Sequence, residues 1–171
     1  MKMTGILTGG RIRIRSYQAS DLDFVTGMWQ DEENGRYLSD PTHGYVDEAY
    51  QKALDGMQDD PSGYYLIVER LDSGERIGSA CAFPDAAKSY DIGYCLHASQ
   101  WKKGYGTELV ALLLGWLKEM GASAVTAEVA AENTASRALL SKLGFGIARE
   151  AEFKKYHMDV RFKSYIYRKD L

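Results

Sequence analysis

A strand, a glycine-containing loop and a long apolar helix follow one another between residues 89 and 121. The run SYDIGYCLH, 89–97, is typical of a strand, and the loop WKKGYG, 101–106, leads into a helix that Gly121 ends. A second buried strand is predicted at 124–130. A strand, a helix and a strand in this order form a right-handed crossover, so we predict that the two strands pair in parallel.

Further runs with strand character predict that the rest of the sheet is antiparallel. Two runs with strand character precede the strand at 89–97. The turns DSGE and PDAAK separate these three runs, which predicts an antiparallel meander. The further strands are predicted at 11–17, 64–71, 76–83, about 145–153 and 161–168. The fold class is therefore α/β in the mixed α+β sense: one mixed, largely antiparallel sheet with helices on both faces and a parallel β-α-β crossover.

Four helices complete the predicted layers. Ser20 is predicted to cap a helix over 21–29, and a second helix is predicted over 46–57. Asn133 suits the N-cap of the last helix, which Gly144 ends. The helix after WKKGYG is predicted to bury one face, formed by Tyr105, Leu109, Leu112, Leu113, Trp116 and Met120.

The composition is that of one globular domain and excludes several classes of protein. The chain has 171 residues, of which 45% are hydrophobic and 26% charged, so a single domain over 1–171 is expected. The net charge of −3 does not fit a nucleic-acid-binding surface. No apolar run approaches the ~20 residues of a membrane span, and the N-terminus lacks the apolar core of a signal peptide. We therefore expect a cytoplasmic protein without nucleic-acid or membrane partners.

The cysteines and histidines form no metal-binding pattern. Cys81 and Cys95 lie in strand-like runs and are predicted to be small buried hydrophobic residues rather than a disulfide. His43, His97 and His157 are far apart in the sequence and have no ligand spacing. We expect no metal cofactor.

The GYG triplet at 104–106 has the properties of an anion-binding loop. It precedes a helix N-terminus, where free N–H groups and the helix dipole favour negative charge, and glycines let a ligand approach the backbone closely. Lys102 and Lys103 add positive charge, although solvated loop lysines would give the same sequence. Leu109 replaces the third glycine of a dinucleotide motif and a Walker motif is absent, so ATP and NAD are not supported.

Two longer stretches resemble a known family. GYCLHASQWKKGYGTELV (93–110) and NTASRALLSKLGF (133–145) are similar to the motifs of the GNAT N-acetyltransferases. The RimJ/RimL branch, which acetylates ribosomal-protein N-termini, is the most similar, because it has the pattern W-x-K-G-Y-[AG]-T-E. The matching residues are Trp101, Lys103, Gly104, Tyr105, Gly106, Thr107 and Glu108, followed by Asn133, Ser136, Leu143, Gly144 and Phe145. The first strand and helix and the closing strands also resemble this branch, so the resemblance covers nearly the whole chain.

This resemblance implies a single GNAT acetyltransferase domain with acetyl-CoA as co-substrate. The CoA pyrophosphate would be held by Trp101, Lys102, Lys103, Gly104, Tyr105, Gly106 and Thr107. The backbone of Tyr94, Cys95 and Leu96 would line the pantetheine arm and polarise the thioester carbonyl. Asn133 and Ser136 would contact CoA, with Ser136 as the proton donor to the departing thiolate.

Structural roles compete with several of these functional assignments. Trp101 and Tyr105 also fit core aromatic residues, Asn133 fits a plain helix cap, and Ser136 fits a first-turn backbone hydrogen bond. Many GNAT enzymes place a tyrosine as proton donor four residues before the Gly-Phe pair, and this chain has Leu140 there. The general acid must then be another group or water.

Two carboxylates are candidates for handling the proton of the amine. Only a neutral amine attacks a thioester, and at pH 7 deprotonation costs roughly 1 kcal/mol for an α-amine and about 4.6 kcal/mol for a lysine side chain. Asp91 lies in the strand before the loop, near where other GNAT enzymes have a glutamate, and Glu152 matches an acidic residue of the RimJ/RimL pattern. Both also fit solvent-facing positions of a strand.

The acceptor is expected to be a primary amine, either a protein N-terminal α-amine or a small molecule. Its groove is expected to form from the loop 34–45, the second helix and the tail near Tyr156. Homodimerisation is left open, and the alternative to an enzyme is a non-catalytic acyl-CoA-binding module. The residues that could line the groove or attract a cation are Tyr37, Tyr45, Tyr64 and Tyr65, and Asp40, Asp47 and Glu48, for which core or solvated positions are the alternative.

Overall fold

The predicted helices and strands occur along the chain in the predicted order, with one short additional strand at the start. The computed structural model describes residues 1–42, 46–85 and 88–171. The strands are β1 (Leu7–Thr8), β2 (Ile12–Ser16), β3 (Tyr64–Arg70), β4 (Arg76–Asp85), β5 (Ser89–Leu96), β6 (Ala124–Ala130), β7 (Gly146–Lys154) and β8 (Arg161–Asp170). The α-helices are α1 (Leu22–Trp29), α2 (Glu48–Gly56), α3 (Tyr105–Glu119) and α4 (Thr134–Lys142).

In the described part of the chain, all eight strands form one sheet, in the order β1-β2-β3-β4-β5-β6-β8-β7. β5 and β6, the strands on either side of α3, pair in parallel, and the other neighbours pair antiparallel. This confirms the predicted crossover and meander. The short strand β1, which pairs with β2 at the sheet edge, was not predicted because its two residues show no periodicity.

Helices cover both faces of the sheet. Alternate residues of a strand point to opposite faces, and in β3 the side chains of Leu66 and Val68 pack with α3 while Ile67 packs with α1 and α2. We call the side covered by α3 and α4 the α3 face and the opposite side the α1 face. The larger cluster of buried residues lies on the α3 face and the smaller one on the α1 face. The predicted helices on both faces are thus confirmed.

The start of the first helix differs from the prediction. Ser20 is not an N-cap, because it lies inside a 3-10 turn, Ala19–Asp21, that precedes α1. Asp21 is buried in a two-point ion pair with Arg15, and its carboxylate also accepts a hydrogen bond from the backbone N–H of Gln18. These bonds hold the backbone of residues 18–21 in a turn, so the helical conformation begins at Ala19, two residues before the predicted start.

The buried face of α3 also differs from the prediction. The fully buried residues are Leu109, Val110, Leu113, Leu114 and Leu117, whereas Met120 is 39% exposed. Tyr105, Leu112 and Trp116 are only partly buried. Residues 109–114 are all apolar, so in this part of the helix the pattern does not determine the orientation about the helix axis.

The remaining expectations concern cysteines, metals and membranes. Cys95 is buried, Cys81 is half-buried, and both are free thiols. Within residues 1–42, 46–85 and 88–171, no group of three or more His, Cys, Asp or Glu side chains could hold a metal ion. Over the same residues, no helix is long and apolar enough to cross a membrane. His43, which the sequence analysis considered, lies outside the described residues.

Replacing a buried α3 leucine by alanine should destabilise the protein strongly. Leu113 is fully buried between the helix and the sheet, so Leu113→Ala should lower the free energy of unfolding by about 2–5 kcal/mol. Met120→Ala, at the exposed C-cap position of the same helix, should change the free energy of unfolding by less than about 0.5 kcal/mol. Urea titration of both variants measures the difference; equal losses would contradict the observed orientation of α3.

Candidate active site

Strands β5 and β6 pair at only three positions and then separate. Their parallel register consists of Ser89↔Ala124, Tyr90↔Val125 and Asp91↔Thr126, although each strand continues for several residues. Beyond Asp91, within the part of the chain that the structure describes, β5 pairs only with β4. Half of the backbone groups of residues 92–96 therefore face a gap that we call the β5–β6 wedge. Open backbone groups of this kind bind an extended ligand.

The N-terminus of α3 lies at the end of β5 and has no side-chain cap. Gly104 occupies its N-cap position with a φ of +83°, a conformation that glycine adopts without strain. By contrast, Asp47 caps α2 and Asn133 caps α4 through side-chain oxygens. No side chain of the described residues caps the first turn of α3, and this arrangement suits the binding of an external anion.

Gly106 brings α3 close to α4. A Cβ atom at this position would lie 2.8 Å from Cδ1 of Leu139 and 3.7 Å from Cδ1 of Leu96. The first turn of α3 therefore contacts both the end of β5 and the side of α4. A side chain at position 106 would push these elements apart or displace Leu139.

An ion pair that the sequence analysis did not identify holds this loop. Arg11, just before β2, donates from Nε to Glu108 at 2.9 Å and from Nη1 to the carbonyl of Lys103 at 2.8 Å, and it lies over the ring of Tyr105. Glu108 also accepts the backbone N–H of Arg11 at 2.7 Å. These bonds hold the pKa of Glu108 below its usual value, against an opposing contribution from burial. The acidic residue of the W-x-K-G-Y-G-T-E pattern thus has a positioning role.

The aromatic residues and lysines of the loop have different environments. Trp101 is 40% exposed, so the core alternative is wrong for it; its Nε1 donates to the carbonyl of Leu96 at 2.7 Å. Tyr105 is half-buried against the core on the α3 face. Lys102 and Lys103 are exposed, and Lys103 donates to Gln100 at 3.2 Å. The lysines therefore surround the α3 N-terminus with positive charge at the surface.

One side-chain hydrogen bond links β5 to α4, the helix that follows β6, across the wedge. The hydroxyl of Tyr94 in β5 lies 2.6 Å from Oγ of Ser136 in the first turn of α4. Burial raises the pKa of Tyr94 to about 12, against the opposing effect of this hydrogen bond. Asn133 accepts the N–H of Ser136, so it does act as a helix cap, and Leu140 is fully buried. Two hydroxyl groups thus meet in the region where the family's tyrosine is missing.

The end of β5 is supported from the α1 face by residues 30–42, which we call the α1–α2 segment. The side-chain oxygen of Asn34 accepts the backbone N–H of Ala98 at 2.5 Å. Sγ of the buried Cys95 lies 3.8 Å from the backbone carbonyl of Asn34. The Tyr94–Leu96 backbone is therefore held between α4 on one face and this segment on the other.

The two predicted proton-handling carboxylates lie on opposite faces. Asp91 faces the α1 side at the last paired position of β5 and accepts a hydrogen bond from Thr126 at 2.7 Å. Desolvation raises the pKa of Asp91, the nearby Glu128 and Asp85 carboxylates raise it further, and the Thr126 hydroxyl opposes them. Its position at the start of the wedge suits a proton-handling role.

Glu152 lies on the edge strand β7, with β6 and β8 between it and β5. Glu152 is paired with Lys163 of β8 and points to the α3 face. Its side chain is 65% exposed and forms an ion pair with Arg161 at 3.4 Å. The structure does not bring it together with Asp91.

The tyrosines and acidic residues predicted for the acceptor groove are dispersed. Tyr65 faces the α1 side and packs on Phe83, whereas Tyr64 faces α3 and packs on Trp116. Tyr37 packs edge-on against Phe162. Asp47 is occupied as the cap of α2 and contacts Tyr156 and His157, and Glu48 is exposed. Tyr45 lies outside the described residues.

A buried lysine that the sequence did not indicate holds the α1–α2 segment. Lys155, which follows β7, donates from Nζ to the carbonyls of Gly35 at 2.7 Å, Leu38 at 2.9 Å and Asp40 at 3.0 Å. Burial lowers its pKa. No short motif marks such a residue, because carbonyls from any sequence can accept its three bonds.

Comparison with known families agrees with this geometry. Residues 11–146 match the model of the acetyltransferase (GNAT) domain, which is more than half of the chain. The chain belongs to the GNAT acetyltransferase family. This GNAT chain is thus an enzyme of the acetyl-CoA-dependent N-acetyltransferase class.

Individual relatives are distant from this GNAT chain. It is 24% identical over 156 residues to the uncharacterized N-acetyltransferase YoaA of Bacillus subtilis, covering 86% of this chain and 88% of YoaA. The spermidine N-acetyltransferase of Vibrio cholerae, solved with CoA and spermine, has a TM-score of 0.78 at 15% identity, covering 93% and 95% of the two chains. The ribosomal-protein-alanine N-acetyltransferase of Brucella melitensis has a TM-score of 0.72 at 22% identity, covering 92% and 99%. These two structures share the fold.

Removing the Thr126 hydroxyl should raise the pKa of Asp91. Thr126→Val keeps the shape of the side chain but removes the hydrogen bond that stabilises the ionised carboxylate, whereas Thr126→Ser keeps that bond. NMR titration of the Asp91 carboxyl carbon measures both variants. An unchanged or lower pKa in Thr126→Val would contradict the observed contact.

Proposed function

We propose that this enzyme transfers the acetyl group of acetyl-CoA to a primary amine at the β5–β6 wedge. The strongest support is that β5 and β6 pair at only three positions, which leaves an edge of β5 open, and that the uncapped N-terminus of α3 lies at the end of this edge. An open edge accepts the amide groups of an extended arm, and a helix N-terminus accepts a phosphate. No other pair of described strands separates next to the N-terminus of a helix in this way.

The residues that would hold acetyl-CoA are those surrounding the wedge. The N–H groups of Gly104, Tyr105, Gly106 and Thr107 would bind the pyrophosphate, with Lys102, Lys103 and Trp101 around them. The backbone of Tyr94, Cys95 and Leu96 would bind the pantetheine arm and polarise the thioester carbonyl. The side-chain oxygen of Asn133 caps α4 by accepting the N–H of Ser136, so Asn133 would position Ser136 for its contact with CoA. When bound, acetyl-CoA supplies an activated acyl group.

The Tyr94–Ser136 pair is suited to protonate the departing sulfur. In the reaction the amine nitrogen forms a bond to the acyl carbon, and the bond from that carbon to sulfur breaks. Ser136 Oγ would donate a proton to the thiolate and recover one from the Tyr94 hydroxyl, 2.6 Å away, and water would return the proton to Tyr94. A hydroxyl pair can thus replace the tyrosine that Leu140 does not provide.

Between the two predicted carboxylates, Asp91 is better placed than Glu152 to handle the amine proton. The α3 face of β5 is covered by α3 and α4, so the amine must approach from the α1 face. Asp91 points to that face at the start of the wedge, whereas Glu152 lies at the far sheet edge on the α3 face.

The motif W-x-K-G-Y-G-T-E supports placement in the RimJ/RimL branch. The fold similarity to a ribosomal-protein-alanine acetyltransferase is consistent with that branch, and the similarity to a spermidine acetyltransferase keeps a small-molecule amine as the alternative acceptor. Both acceptor classes provide a primary amine that is protonated at neutral pH.

Blocking the first turn of α3 should remove acetyl-CoA binding. Acetyl-CoA or CoA at about 100 times its dissociation constant should raise the melting temperature of the wild type by about 5–10 °C, and ATP or NAD should not. Gly106→Val and the charge reversal Lys103→Glu should reduce that rise. The control is Gly115→Ala in the same helix, where an added Cβ meets no atom within 4 Å.

Circular dichroism confirms that each variant is folded. A full temperature rise in Gly106→Val, or none in the wild type, would overturn the assignment of the loop. A rise with CoA but no turnover on any amine would favour a non-catalytic acyl-CoA-binding module.

An acceptor panel should show CoA release with one class of amine. Peptides with free N-termini, the same peptides acetylated at the N-terminus, polyamines and amino acids are incubated with acetyl-CoA, and free thiol is measured. RimJ/RimL placement predicts turnover with free peptide N-termini and none with the blocked peptides. Turnover with polyamines alone would contradict that placement but keep the acetyltransferase.

A further inference from the structure

One carboxylate of the α1–α2 segment, that of Asp40, lies beside Tyr50 on the α1 side of the sheet, and the sequence predicts it only as one of three acidic residues that could attract a cation. Asp40 is half-buried, and its Oδ1 accepts a hydrogen bond of 2.7 Å from the hydroxyl of Tyr50 in α2. Nζ of Lys155 binds the carbonyls of both Asp40 and Gly35. Asn34, next to Gly35, contacts Cys95 and Ala98 at the end of β5. Asp40 therefore belongs to the part of the segment that is anchored beside the end of this strand.

Cys95 is one of the residues whose backbone faces the wedge. Burial raises the pKa of its thiol, and the negative charge of Asp40 raises it further. Asp91, by contrast, precedes Cys95 by four residues, about 13 Å along a strand. Asp40 is thus the carboxylate of the α1–α2 segment that acts on the end of β5.

The segment that carries Asp40 is held from several sides. Lys155 binds the carbonyl of Asp40 itself and two others in the segment, and the N–H of Tyr156 donates to the carbonyl of Ser39 at 2.7 Å. Lys155 directs its hydrogen bonds to carbonyls rather than to the Asp40 carboxylate. The backbone around Asp40 is thus fixed while its carboxylate is left to bind a cation.

We propose that Asp40 binds the acceptor's ammonium group and takes one of its protons, which frees the nitrogen lone pair for attack. This inference rests on the proposed acetyl transfer, and it names the residue that selects a cationic acceptor. The bound ammonium loses one proton to an Asp40 carboxylate oxygen, and the neutral amine then attacks the acyl carbon. As the carbon–sulfur bond breaks, the nitrogen loses its second proton to water and Ser136 gives a proton to the departing sulfur. The product is a neutral amide, which no longer attracts the carboxylate and is released.

The groups around Asp40 favour this role. Desolvation raises its pKa, while the Tyr50 hydroxyl and the positive charge of Lys155 oppose that rise. A carboxyl group with a raised pKa is a better proton acceptor than a solvated one. The titratable groups that face it from the other elements are Tyr65 on β3, Cys81 on β4, Cys95 on β5, Tyr50 on α2 and Lys155 after β7.

The test is the pH dependence of kcat/KM in Asp40→Asn with an acceptor found in the amine panel. At pH 7 the variant should lose about tenfold in rate with an α-amine acceptor and about 10³-fold with an alkyl amine of pKa about 10.4, because it must wait for an amine that is already neutral. Its rate should therefore rise tenfold per pH unit and approach the wild type near the pKa of the acceptor. Tyr50→Phe should move the acid limb of the wild-type profile to higher pH, because it removes a bond that lowers the pKa of Asp40.

Matched carboxylate variants serve as controls. Asp55→Asn, on the exposed side of α2, should leave the profile unchanged. All variants should keep the melting-temperature rise with acetyl-CoA, which separates loss of chemistry from loss of folding or cofactor binding. An Asp40→Asn profile parallel to the wild type, or the tenfold-per-unit slope in Asp91→Asn instead, would overturn the role of Asp40 and leave the acetyl transfer standing. A wild type that acetylates no amine would overturn both.

Discussion

The separation of β5 from β6 after three paired residues is the constraint on which the rest of the site depends. Backbone N–H and C=O groups need partners, and a strand edge left open inside a sheet gains them only from a ligand or from water. The close approach of α3 to α4 at Gly106, against Leu139, positions the uncapped helix N-terminus at the mouth of that gap. Arg11 and Glu108 connect this loop to β2 and fix its position.

The two faces of the sheet provide different chemistry to the same strand. On the α3 face, Tyr94 of β5 reaches Ser136 of α4, so a proton source lies beside the wedge. On the α1 face, Lys155 and Asn34 anchor the segment that carries Asp40 beside the end of β5. In the proposed reaction the sheet therefore separates the proton donor, Ser136, from the proton acceptor, Asp40.

Sequence analysis predicts the elements well and the side-chain environment poorly. Asn133, Gly121 and Gly144 end or begin helices as predicted, because caps and positive-φ glycines are local features. The predicted orientation of α3 was wrong for Met120, because the unbroken apolar run at 109–114 leaves that orientation undetermined. The buried Lys155 and its contacts with the α1–α2 segment were missed, because they join residues more than 100 positions apart.

The most direct test of the central claim is an NMR titration of backbone amides with CoA. The account predicts that the largest chemical-shift changes occur at the N–H groups of 94–96 in β5 and 104–107 at the start of α3. The amides of the edge strand β7 should change little, since two strands separate it from the wedge. Changes confined to other parts of the chain, or none at saturating CoA, would contradict the assignment of the wedge as the acetyl-CoA site.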